Sequence, residues 1–121
     1  MTGQEAIRWA DTLTPNAYTT AQKLAWLSDL DGKLYREFLS RYDGTGDAAP
    51  EPYADGSETL LIPHPYARDV YGNWLLAKIA EANQEVSLYN LHSTMFNAGY
   101  REFCDLFNKD NKIKSGRSWI F

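Results

Sequence analysis

From Ala21 to about Arg41 the apolar residues Leu24, Leu27, Leu34 and Phe38 recur at helical spacing, and Leu30 and Leu39 widen the stripe. The spacing predicts a long helix. The same rhythm returns from Ala67 to about Ala82, where Tyr71, Trp74, Leu75, Ile79 and Ala82 make a broad apolar face that ends at Asn83-Gln84. It returns again from about Glu85 to Asn108, with Tyr89, His92, Phe96, Gly99, Phe103 and Leu106 in a three-four seam. Leu88, Leu91, Met95 and Ala98 broaden that last seam, so this helix is expected to be central and touched on two sides.

Ahead of these, Thr2-Gly3-Gln4-Glu5 has the spacing of a capping box and predicts a short helix to about Thr12, burying Ile7 and either Ala10 or Trp9 with Leu13. Pro15 stops it, because proline lacks an amide donor and pushes the preceding residue out of helical space; Thr19 or Thr20 recaps the chain. The two-residue Asn83-Gln84 link folds the last two helices into an antiparallel hairpin, where Gly99 permits close approach. The expected fold is all-α: a small antiparallel bundle of about four helices over residues 1–108, followed by an extended C-terminal tail at 109–121.

Two stretches break the helical rhythm. Asp43 to Ser57 is rich in Gly, Pro, Ala and acids and is expected to be a long mobile loop, either a binding or threading element or a solvated spacer. Within the same 43–66 region, Leu60-Leu61-Ile62 is bounded by Pro63 and Pro65, whose fixed φ holds the chain extended. With Tyr66 these residues form a candidate contact, since an apolar extended segment can add to a neighbour's strand edge.

The composition narrows the function classes. With 121 residues and 44% hydrophobic content, the chain can build one core without a metal or disulfide staple. A lone cysteine fits a reducing compartment, with Cys104 as a small apolar core residue. The formal charge of −4 disfavours DNA binding as the primary task. The first 13 residues do not read as a signal peptide and no apolar run reaches the ~20 residues of a membrane span, so a soluble protein without membrane contact is expected.

Searching for chemistry yields little. Asp43-Gly44-Thr45-Gly46-Asp47 superficially resembles a calcium loop, but Ala48 and Ala54 stand where glycine and glutamate are required. His64 and His92 have no second ligand at metal spacing, and His92 reads as a hydrogen-bonded core residue. Nucleophilic catalysis would need an activated thiol or hydroxyl with a base nearby, whereas Cys104 is flanked in sequence by Glu102 and Asp105, which would raise its pKa. Asp29 and Asp31 read as a solvated pair on an exposed helix face. No catalysis, cofactor or metal is expected. The positive signal lies at the end, where Lys112, Lys114 and Arg117 carry the apolar Trp119-Ile120-Phe121. That terminus either folds back on its own domain or reaches another subunit, and a basic tail could pair with the acidic loop of a neighbour.

Trp26-Leu27, Leu30-Asp31-Gly32, Leu60-Leu61-Ile62-Pro63-His64-Pro65-Tyr66, Tyr71 with Trp74 and Ala77, Ala82-Asn83, Tyr89-Asn90, Met95-Phe96-Asn97 and Tyr100 follow one another in an order that resembles a family of small helical head-to-tail adaptor (connector) proteins of siphophages and prophages of Gram-positive bacteria. The resemblance covers most of residues 2–108. It implies a virion neck protein, made in the host cytoplasm, that assembles as a ring, commonly of twelve copies. Such a ring docks beneath the portal protein, meets stopper or tail-completion proteins, and lets double-stranded DNA pass without reading its sequence. Gln84 stands where relatives often have glycine, and the resemblance does not extend to the Lys112 to Phe121 tail. The rival reading is a small DNA-associated regulator or packaging subunit, which would need a basic recognition helix.

Overall fold

A computed structural model describes residues 1–42 and 50–111. Four α-helices carry the described part of the chain: α1 (Gly3–Leu13), α2 (Thr20–Glu37), α3 (Asn73–Ala82) and α4 (Val86–Asp110). The fold is the expected all-α bundle. The first two helices start where side chains can replace missing backbone partners. Thr2 Oγ1 accepts from the Glu5 amide at 3.2 Å while the Glu5 carboxylate accepts from the Thr2 amide at 2.8 Å. Thr19 and Gln22 repeat the reciprocal arrangement at 3.1 and 2.9 Å.

α2 ends four residues earlier than its apolar stripe suggests, and the chain continues as a 3-10 turn, Leu39–Arg41. That tighter turn keeps Leu39 and Tyr42 buried. The third helical segment also departs from a uniform helix: Arg68–Gly72 forms a wider π-helical turn before α3 begins. Gly72 lies directly beneath the Trp9 ring, which a Cβ would strike, so α1 seats against this turn. On its other side, Gly99 of α4 would place a Cβ 3.5 Å from Asp69 and Val70. The close approach expected at Gly99 is made by the π-helical turn.

The α3–α4 hairpin closes through a Schellman motif. The Gln84 amide donates to Glu81 O at 3.1 Å and the Glu85 amide to Ala80 O at 2.9 Å, satisfying carbonyls at the end of α3. Gln84 itself takes φ +60°, the left-handed conformation that glycine adopts without steric cost.

Of the mobile loop expected over Asp43 to Ser57, residues 43–49 lie outside the described part, and from Tyr53 onward the chain is tied to the helices by hydrogen bonds. The Tyr53 amide donates to Ser28 Oγ at 2.8 Å, and Gln4 N donates to Gly56 O at 2.9 Å. Gly56 has φ +88° and packs so closely on Gln4 that a Cβ would lie 2.6 Å from Gln4 Cγ. Thr59 bridges antiparallel to Thr2, and the Leu60 amide donates to Met1 O at 2.9 Å. The extended segment therefore pairs with the chain's own N-terminus. Leu27, Leu34, Ile62, Val70, Tyr71, Leu75 and Ile79 fill the centre of the core that results.

Candidate functional site

Asp31 is the most unusual residue in the core. It is fully buried, and its hydrogen bonds come from neutral donors. Tyr71 Oη donates to Asp31 Oδ1 at 2.5 Å; Tyr53 Oη donates to Oδ2, which also accepts from the Leu61 amide at 3.0 Å. Tyr71 Oη in turn accepts from the Ile62 amide at 2.8 Å. Burial raises the Asp31 carboxyl above the usual aspartate range, while the two tyrosines and the amide pull it down. Burial and the adjoining carboxyl push both phenols upward as well. The arrangement joins α2, the 53–62 segment and the π-helical turn at one point, and the carboxyl has no solvent access. It organises structure.

Sequence reasoning placed Asp31 on an exposed face, and the structure corrects that. The signal was present: positions 24, 27, 31 and 34 continue one helical stripe, so Asp31 falls on the buried side of α2 among leucines.

α4 carries the surface best suited to contact. One face packs inward, with Trp74 on Phe96 at 5.1 Å, Tyr66 on Phe103 at 6.1 Å and Phe38 on Phe107 at 5.6 Å between ring centroids. The Tyr42 hydroxyl ties the far end by donating to Asn108 Oδ1 at 2.6 Å. His92 is half-buried with Nδ1 3.2 Å from Asn73 Oδ1, close to the expected hydrogen-bonded core role, and desolvation lowers its pKa. Cys104 is half-buried against the core, and burial first, then Asp105, pushes its thiol upward, away from a reactive thiolate.

Roughly 100° around the helix from that packed stripe, Leu88, Leu91, Met95 and Ala98 form a second apolar line. Leu88, Leu91 and Met95 are 41%, 51% and 47% exposed, and Ala98 is exposed too. The second side expected for this helix is therefore open within the chain. Among the described residues, the large apolar side chains that stand exposed lie on the first half of α4, except for Leu13. No formally charged residue occurs from Val86 to Tyr100.

The residues singled out earlier for contact divide into three groups. Leu60 and Ile62 are buried at 3% and 0% exposure, so their side chains are spent on the domain's own core rather than on a neighbour. Pro63 and Pro65 are exposed and Leu61 and Tyr66 partly so, leaving these four accessible at the surface. Lys112, Lys114, Arg117, Trp119, Ile120 and Phe121 lie outside the described residues. Among the described residues no cluster of His, Cys, Asp or Glu has the geometry of a metal site, and no helix is long and apolar enough to cross a membrane.

No protein family, curated protein or solved structure matches this chain.

Proposed function

We propose that this chain is a structural subunit that works through protein contacts, and that it serves as a head-to-tail adaptor in the neck of a tailed-phage virion. The observation that carries the contact role is the uncharged apolar line of Leu88, Leu91, Met95 and Ala98, left open on a helix whose other face is already packed. Leaving such a line in water forgoes about 25 cal/mol for each Å² of apolar surface, which a partner would recover by covering it. The adaptor role comes from the sequence resemblance, and the all-α fold is compatible with it.

In this reading the copies assemble as a ring, nominally of twelve, beneath a portal ring, and DNA passes through without sequence-specific contacts. The net charge of −4 suits a conduit, because a basic wall would hold the phosphate backbone. The accessible part of Leu61 to Tyr66 and the tail from Lys112 are further candidate contacts, the tail on the sequence argument alone.

The test is mass photometry of the full chain, and of a chain ending at Asn111, each mixed with portal rings from the phage or prophage that encodes it. Capture of several 13.8 kDa copies per portal ring is the expected result. A chain that ignores the portal ring and instead retards duplex DNA would replace this reading with the regulator.

A further inference from the structure

We infer that the open line on α4 is a contact between two copies of this chain, closed as an antiparallel helix pair. This inference does not depend on the virion role.

The spacing is the first argument. Leu88, Leu91, Met95 and Ala98 follow a three-four-three rhythm, the repeat that keeps one side of a helix facing another helix. The line is also complementary to itself. If two copies of α4 run antiparallel about a two-fold axis at residue 93, Leu91 of one faces Met95 of the other, and Leu88 faces Ala98. Each large side chain at the edge then meets a small one, which permits close packing.

Charge selects both the occupant and the direction. With no formally charged residue from Val86 to Tyr100, the line offers an acidic or basic partner nothing to pair with. A second copy brings the same neutral surface and meets no like charge. Glu102 continues the line one step beyond Ala98 and is exposed. In a parallel pair, Glu102 would face its own copy. In the antiparallel pair it lies beyond Val86, the first residue of the other copy's α4, and does not meet its own counterpart.

The pair is expected to be weak. From Leu88 to Ala98 the line spans ~15 Å on a helix ~10 Å across, well below the ~1,200 Å² of a standard stable interface. Because a two-fold contact is closed and cannot propagate around a ring, the pair describes the free chain.

Sedimentation velocity on the full chain from ~10 μM to ~1 mM, a range in which a weak pair becomes populated, should show a concentration-dependent shift from monomer to dimer. Leu91→Glu, at an exposed position that leaves the core intact, should abolish the shift without changing the thermal midpoint. Direction is read by cross-linking in a Cys104→Ala background. Leu88→Cys mixed with Ala98→Cys should give a disulfide-linked dimer, whereas neither variant alone should. Self-linking of each single variant would establish a parallel pair and overturn the inference. A chain that stays monomeric throughout, or pairs only after residues 112–121 are removed, would assign the line to another protein or to the chain's own tail and would equally overturn it.

Discussion

Replacing Tyr71 with phenylalanine keeps the buried ring and removes a single oxygen, yet that oxygen serves two buried groups. It donates to Asp31 Oδ1 at 2.5 Å and accepts from the Ile62 amide at 2.8 Å. Leaving a buried amide without a partner costs about 1–3 kcal/mol, and leaving a buried carboxyl oxygen short of a donor costs a similar amount. Allowing for relaxation around Asp31, Tyr71→Phe should cost about 3–5 kcal/mol, a large share of the ~5–15 kcal/mol by which domains are stable. Tyr53 is less buried and serves only Asp31 through its hydroxyl, so Tyr53→Phe should cost clearly less. Urea unfolding followed by tryptophan fluorescence measures both, with an unchanged m-value as evidence that the same transition is compared. A loss below ~1 kcal/mol for Tyr71→Phe, the size of one ordinary hydrogen bond, would refute the claim that this hydroxyl holds the 53–62 segment to α2. The pH dependence gives a second check. Because the folded Asp31 pKa is raised, its contribution is fully present below the ordinary aspartate pKa and is lost as pH rises through the folded value.

Two further substitutions probe the backbone and the surface carboxylates. Gln84→Gly should stabilise the chain by about 0.5–1 kcal/mol, since a residue at φ +60° costs about 1–2 kcal/mol relative to glycine, less the greater chain entropy of glycine; differential scanning calorimetry should show a rise of a few degrees. Glu58 accepts from the Ala54 amide at 2.7 Å and the Gly56 amide at 3.0 Å, and the first of these bonds does most to hold its pKa below the ordinary range. A lowered pKa contributes stability that is present above the unfolded value and lost as pH falls through the folded one. Glu58→Gln should therefore lower the thermal midpoint at neutral pH by more than it does at a pH below the folded value, where the native carboxyl is itself protonated. An equal loss at both values would locate the effect in packing rather than charge.

The helices were legible because each carries local information. Thr2 with Glu5 and Thr19 with Gln22 announce helix starts, Asn83-Gln84 announces a stop, and the leucine stripe of α2 needs only the helical period to be read. The ends of those helices were less so. Whether the Phe38 region continues as α-helix or tightens, and whether Arg68–Gly72 widens into a π turn, depends on what packs there, including the Trp9 ring on Gly72. The 50–57 segment looked unable to bury a core, and by composition it cannot. It is fixed by Ser28, Asp31 and Gln4, partners 25, 22 and 52 positions away from the residues they hold, a relation that no local window contains.

The contact surface divides in the same way. The sequence determined that α4 has two apolar lines, because side-chain spacing on a helix follows from its period alone. Only the tertiary structure decided which line is used within the domain and which stays open, since that depends on where α3, the π-helical turn and Phe38 lie around the helix. It likewise turned Leu60 and Ile62 inward and made Asp31 a buried tether, because burial is a property of what surrounds a residue and not of the residue itself.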